Sequence, residues 1–316
     1  MPKYVVTGGA GFIGSATVRA LLKQPGAEVV AIDNLFAGKR ANVAEVMERI
    51  SLVVADIRDY DSMLKHFRGA DVVFHLAAIP SVPRSISDPV PSHEVNVNGT
   101  FSVLRAAHDA SVRRVVYAAS SSAYGDTEVL PKVESMRPLP RSPYAVQKLL
   151  GEYYMSVFHN CFKLETVALR YFNVYGPRQD PSSPYSGVIS IFMKCLLNKT
   201  SPTIYGDGQQ TRDFTYVDDV AALNVEAALA DGVSGGVFNA GNGNRYTLLE
   251  VWETLQKIHG VRIEPQFGPP RAGDVRDSQA DVTATRAAFA YRPQVDLEEG
   301  LRRTLDWYRR TLLTSA

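Results

Sequence analysis

The sequence predicts an α/β fold: a doubly wound parallel sheet with a smaller C-terminal unit interleaved with it. Three observations carry this. Short apolar runs rich in β-branched residues recur at 3–7, 28–33, 51–55, 71–76, 114–119 and 164–171; each suits a strand buried on both faces. Helical patterns fall between them, at roughly 14–24, 59–68, 93–110 and 143–159, and such alternation implies a parallel sheet covered by helices on both sides. The first turn is rich in glycine and opens directly into a helix, as in Rossmann-like sheets.

The first 33 residues organise the rest. Lys3-Tyr4-Val5-Val6-Thr7 reads as a strand, Gly8-Gly9-Ala10-Gly11-Phe12-Ile13-Gly14 as a turn into a helix, and Glu28–Ile32 as a second strand ending on Asp33. Gly9, Gly11 and Gly14 fit G-x-G-x-x-G, and Gly8, Gly11 and Gly14 fit a wider G-x-x-G-x-x-G. Backbone without side chains lets a pyrophosphate approach, and the start of the helix that follows the turn, with Phe12 and Ile13 just before it, offers it N–H groups and a positive dipole end. Asp33 lies 19 residues past Gly14, where a carboxylate accepts hydrogen bonds from an adenosine ribose. It repels a 2′-phosphate, and Asn34 and Leu35 bring no Arg to hold one. The cofactor expected is therefore NAD rather than NADP.

After Tyr171 the style changes. Gly, Pro and Ser crowd 173–187, Val217 to Ala230 reads as another helix, and Val237-Phe238-Asn239 as a last strand returning to the sheet. The expected division is a dinucleotide-binding domain of 1–172 plus about 217–244, and a substrate-binding domain of 173–216 plus about 245–316.

Lys and Arg number 34 against 33 Asp and Glu, for a net charge of +1. Such balance gives no electrostatic footprint for nucleic acid or an anionic membrane. No apolar run approaches the length of a membrane span, and the chain enters its first strand without a signal peptide. Cys161 and Cys195 form neither a metal spacing nor a disulfide framework. A cytoplasmic protein with no metal is expected.

Tyr144 and Lys148 stand four apart on a predicted helix, and so share one face. Tyrosine, with a solution pKa of about 10, is a poor base. A nearby ammonium and a nicotinamide cation both favour its phenolate. Ser120-Ser121-Ser122-Ala123-Tyr124-Gly125 closes a strand, at the edge where parallel sheets place ligands.

These residues resemble the extended short-chain dehydrogenase/reductase superfamily, and within it the nucleotide-sugar 4-epimerases of the UDP-glucose and UDP-N-acetylglucosamine type. The marks run nearly end to end: Thr7 to Ser15, Asp56-Ile57-Arg58-Asp59, His75-Leu76-Ala77-Ala78, Asn96-Val97-Asn98-Gly99-Thr100, and Ser142-Pro143-Tyr144 with Lys148. They continue through Leu169 to Gly176, Tyr205-Gly206-Asp207-Gly208, Arg212-Asp213-Phe214 and Arg271-Ala272-Gly273-Asp274.

The resemblance implies roles. Asp56 and Ile57 sit beside the adenine, Leu76, Ala77 and Ala78 run past the cofactor, and Tyr171 packs near the nicotinamide. Lys148 also holds the nicotinamide ribose. Asn173 touches the sugar diphosphate, Arg212 and Arg271 bind it, Asp274 accepts from the uridine ribose, and Tyr205 joins the substrate set. Dehydratases of the superfamily carry Thr-Asp-Glu where Ser120-Ser121-Ser122 stands, so dehydration is not expected. Ser120 takes the place of the catalytic hydroxyl, with Ser121 and Ser122 as possible substitutes. Ser278 occupies the position that gates the sugar C2 substituent, where a large Tyr marks enzymes limited to glucose and galactose. Ser81 and Gln179 agree with members that handle N-acetylated sugars.

The implied activity is NAD-dependent inversion of C4 of a UDP-hexose through a 4-keto intermediate, by a homodimer. The alternatives are a UDP-glucuronate epimerase or decarboxylase, a reductase of the same fold, or a non-catalytic NAD-binding regulator.

Overall fold

The computed structural model describes residues 1–181, 187–270, 275–289 and 291–313. Its main sheet holds β1 (Lys3–Thr7), β2 (Glu28–Asp33), β3 (Ser51–Val54), β4 (Val72–His75), β5 (Arg114–Ser120) and β6 (Glu165–Tyr171), with Gly236–Ala240 as a seventh strand. The order is Gly236–Ala240, β6, β5, β4, β1, β2, β3, and every pair is parallel. The register aligns Thr7 with Ile32 and His75, and Ser120 with Tyr171. The glycine turn, Asp33 and the serine cluster therefore leave the sheet at one edge.

Alternation explains the two layers. Tyr4, Val6, Val29, Ala31, Val72 and Phe74 face one core, and Val5, Val30, Ile32, Val73, Val115 and Tyr117 the other. The helix α1 (Phe12–Leu21) and the helix Val217–Leu229 cover the first face. Helices Tyr60–Phe67, Thr100–Asp109 and Pro143–Phe162 cover the second.

A separate core gathers Phe192, Trp252, Leu301 and Tyr308 from the helices Val188–Leu197, Leu248–His259 and Leu297–Leu313. The helix Thr283–Phe289 instead returns to the main sheet, where Phe289 meets Phe238 with ring centroids 4.7 Å apart. The C-terminal stretch thus serves both cores rather than the second alone.

The expected helix at 93–110 differs in detail. It is preceded by a helical turn at Pro89–His93, and a π-helical stretch at Glu94–Gly99 precedes the α-helix Thr100–Asp109. Two further segments have no counterpart in the sequence reading: a 3-10 stretch at Arg40–Arg49 and a short helix at Val82–Ser87. Among the described residues no helix is long and apolar enough to cross a membrane, and no group of His, Cys, Asp and Glu could hold a metal ion.

Candidate active site

The glycine turn is closed by contacts that only glycine permits. Gly8 adopts φ +70°, and a Cβ there would lie 2.8 Å from the Ala77 nitrogen. A Cβ on Gly14 would lie 1.9 Å from the Gly8 carbonyl oxygen. Gly11 begins α1, and no side chain caps that helix. The first-turn N–H groups around Phe12 and Ile13 are left for an anion such as a diphosphate. Leu76, Ala77 and Ala78 are half-buried and run alongside, with Leu76 N–H donating to the Thr7 carbonyl at 3.2 Å.

Asp33 is buried. Its carboxylate accepts from Ala10 N–H at 3.0 Å and Leu35 N–H at 2.8 Å. Burial pushes its pKa up, against these backbone bonds. Each oxygen keeps capacity for another donor, such as a ribose hydroxyl. Asn34 donates to Asp56 at 3.1 Å, and Arg58 grips the same carboxylate with two nitrogens at 2.9 and 2.8 Å. That pairing holds Asp56 well below the usual carboxylate range. Ile57 is buried and touches Gly99, where a Cβ would sit 2.6 Å from its Cδ1. These residues fit a dinucleotide: a bare backbone cradle, a free helix start, and an acid at the end of β2.

Ser142 and Pro143 set the start of the helix Pro143–Phe162. The Ser142 hydroxyl accepts from Ala145 N–H at 3.2 Å, and Pro143 fills the first helical position. Tyr144 follows at once, its own N–H satisfied by the Ser85 hydroxyl at 3.1 Å. The phenol is half-buried, and Ser120 is the side chain that pulls its pKa down. Ser120 Oγ also accepts from the Ser122 hydroxyl at 2.9 Å and its N–H at 3.2 Å. Of the three serines, Ser120 is thus the one joined to Tyr144, and Ser122 orients it.

Lys148 is buried one turn on. Its Nζ donates to the Ala118 carbonyl at 2.8 Å and lies 5.0 Å from the centre of the Tyr117 ring. Burial brings its pKa down to about 7, against the charge of Glu152. Glu152 is itself held by Arg170, with contacts of 2.9 and 2.7 Å in a buried pair.

The sequence reading expects Tyr144 to be acidified. In the field of the chain alone the reverse holds: burial raises its pKa, and the Ser120 bond is what opposes the rise. The reason is that Lys148 turns its ammonium to the β5 backbone. A cationic nicotinamide beside the phenol would add the attraction that this field lacks.

Tyr171, expected near the nicotinamide, closes β6. Its hydroxyl donates to Asn224 at 2.7 Å, and Asn224 donates in turn to Thr17 of α1 at 2.9 Å. The ring belongs to the first core, so it supports the end of β6 from beneath.

The other expected residues are held by local contacts. Arg212 donates to the carbonyls of Thr211 and Arg276, both at 2.9 Å, and Ser278 N–H donates to Thr211 at 3.1 Å. Asn173 donates to the Asp213 carbonyl at 3.2 Å. Asp213 is fully buried and accepts from the N–H groups of Asn242, Gly243 and Ala280, while burial raises its pKa to about 6. Ser81 caps the helix Val82–Ser87, accepting from Arg84 N–H at 3.1 Å. Gln179 donates to the Val174 carbonyl at 3.2 Å. Arg271 and Asp274 lie outside the described residues.

Tyr205 lines an open cleft of about 630 Å³ with Gln210, Phe267 and Arg276. The last three were not singled out from the sequence. Gln210 Nε2 donates to the Tyr205 carbonyl at 2.6 Å, while its buried Oε1 has no hydrogen-bond partner among the described residues. The sequence reading counted Asn96 among the family marks but gave it no role. Its side chain holds Ile79 N–H at 2.8 Å and meets Gln147 at 2.9 Å, tying the helix Pro143–Phe162 to the segment after β4. The signal was present: Asn96 is a buried polar residue inside a helical pattern, and the local helix is widened there.

Comparison with known proteins agrees with this geometry. Residues 4–241 match the model of the NAD dependent epimerase/dehydratase family. The UDP-glucose 4-epimerase of Mycolicibacterium smegmatis is 41% identical over 310 residues, covering 96% of this chain and 98% of the relative. Among solved structures, the UDP-N-acetylglucosamine 4-epimerase of Methanobrevibacter ruminantium, in complex with UDP-N-acetylmuramic acid, superposes with a TM-score of 0.94 at 38% identity, covering 98% of this chain and 99% of that one. The Thermus thermophilus UDP-glucose 4-epimerase complex with NAD gives 0.88 at 37% identity, covering 97% and 99%. On these grounds the chain belongs to the NAD-dependent epimerase/dehydratase family, as an enzyme of its nucleotide-sugar 4-epimerase type.

Proposed function

We propose that the protein inverts C4 of UDP-hexoses, interconverting UDP-glucose with UDP-galactose and UDP-N-acetylglucosamine with UDP-N-acetylgalactosamine. The observation that carries this is the Ser120–Tyr144 hydroxyl pair, set at the strand ends beside the glycine turn with Lys148 one helical turn away. Bound NAD supplies a hydride acceptor and donor next to that pair. Tyr144 takes the proton from the sugar 4-hydroxyl, and Ser120 bridges the same hydroxyl. The 4-keto sugar then turns over while its diphosphate stays held by Arg212 and Arg271, whose forked guanidiniums suit phosphate oxygens. Tyr144 returns the proton to the oxygen on the inverted carbon.

The cleft beside Tyr205 suits the nucleoside. Phe267 offers an exposed ring for a base to stack upon, in the cleft that Tyr205 and Gln210 also line.

Ser278 sets the sugar range in this reading. It is nearly buried, and a serine rather than a tyrosine there is what admits a 2-acetamido group in this reading, with Ser81 and Gln179 as further polar partners for it. Ser278→Tyr is expected to suppress turnover of N-acetylated sugars by steric exclusion and to spare UDP-galactose. The measurement is kcat/KM for both substrate pairs in both proteins. If the wild type fails on UDP-N-acetylglucosamine, or the variant loses both pairs equally, Ser278 is not the gate.

The protein is further read as a homodimer. Phe101, Val146, Tyr153, Val157 and Phe162 stand exposed on the helices Thr100–Asp109 and Pro143–Phe162, an apolar face of the kind that a second copy covers. Sedimentation at micromolar concentration should report twice the chain mass; a monomer there would refute this.

A further inference from the structure

Phe36 and Arg84 have no role in the site as described. Phe36 is 60% exposed although it stands three residues from Asp33. Arg84 is half-buried, and among the described residues no carboxylate pairs with its guanidinium. Its recorded neighbour is the Phe36 ring, with Cζ 5.0 Å from the centroid.

Their places in the fold give this contact meaning. Phe36 lies on the segment leaving β2, which is tied to the glycine turn. Ala10 N–H donates to Asp33 at 3.0 Å, and Lys39 N–H donates to the Ala10 carbonyl at 2.9 Å. Arg84 lies on the helix Val82–Ser87 leaving β4, which is tied to the helix Pro143–Phe162 through Ser85 and the Tyr144 N–H. In the sheet, β1 stands between β4 and β2. The two segments are thus the walls on either side of the glycine turn, and their meeting through Arg84 and Phe36 crosses the groove between them.

We propose that Phe36 and Arg84 form a clasp across the cofactor groove that slows the release of NAD. A dinucleotide lying on the glycine turn passes between the two walls. The guanidinium stacks on the ring by cation–π attraction and sets a positive charge over a groove that holds a diphosphate. Release requires the walls to part, and so requires the stack to break. The inference rests on the NAD assignment and needs no particular sugar.

The test measures NAD release alone. Purified NAD-loaded wild type, Phe36→Ala, Arg84→Ala and Arg84→Lys are mixed with an excess of a dehydrogenase and its alcohol, which convert each released NAD to NADH, and the appearance of NADH is timed. Release should be roughly tenfold faster in both alanine variants, as loss of one cation–π contact implies. Arg84→Lys should fall between, because an ammonium keeps the charge without the flat stacking face. The double alanine variant should release no faster than the faster single one, since the two side chains act as one element. Wild-type release rates in either alanine variant would overturn the clasp. So would faster release accompanied by an equal fall in the melting temperature of the NAD-free proteins, which would mark general destabilisation. No sugar nucleotide enters the assay, so failure here leaves the epimerase reading standing.

Discussion

Tyr144→Phe is expected to lower epimerisation by at least ~10²-fold, the lower range for a positioned acid–base group, and to leave the protein folded with NAD bound. The phenol hydroxyl is the one group removed, and the side chain that acts on it is Ser120. Ser120 retains its two bonds from Ser122, so the serine cluster keeps its shape. The ring still fills its place at the start of the helix, whose cap is the Ser142 hydroxyl and not Tyr144. Turnover, melting temperature and NAD content should therefore separate. Near wild-type turnover in a folded variant would remove the proton-transfer mechanism.

Lys148→Met should have the next largest effect, acting on cofactor retention and pH dependence together. Lys148 is buried with Nζ against the Ala118 carbonyl, and its pKa falls to about 7 because burial disfavours the ammonium. The sign follows from the two groups. Burial already raises the pKa of Tyr144, so activity depends on whatever positive charge favours the phenolate. The Lys148 charge is full below pH 7 and is lost as pH rises through it. Without Lys148 the nicotinamide cation is held less closely to the phenol in the proposed reading, so the phenolate forms at higher pH and the rising limb of kcat/KM against pH should move upward. NAD content after gel filtration should fall in the same variant, because the ammonium also holds the nicotinamide ribose in the proposed reading. A limb that does not move, with NAD content unchanged, would leave Lys148 a structural residue bonded to β5.

The sheet was legible because its strands are short apolar runs and its first turn is punctuated by glycines whose spacing has a steric cause. The contacts of Gly8 with Ala77 and of Gly14 with Gly8 are that cause. Tyr144, Lys148 and Ser120 were legible by motif, but their electrostatics were not. Whether an ammonium four residues away lowers a tyrosine pKa depends on where Nζ points, and here it points to Ala118.

The helix Val82–Ser87 was missed because six residues with a proline show no period, though Ser81 before Val82-Pro83 is a recognisable cap signal. The partner of the Tyr171 hydroxyl, Asn224, lies 53 residues on, and no local pattern announces it. Phe36 and Arg84 carry no motif at all. Only the strand order brings them together.

The central claim is inversion without net oxidation. The measurement is incubation of the purified protein with UDP-galactose, and separately with UDP-N-acetylgalactosamine, without added NAD, following the sugar nucleotides by chromatography and NADH by absorbance. The account predicts conversion to the C4 epimer with many turnovers per bound NAD, the same final ratio approached from either epimer, and no accumulating NADH. Absence of the epimer, or NADH formed in step with substrate consumed, would contradict it.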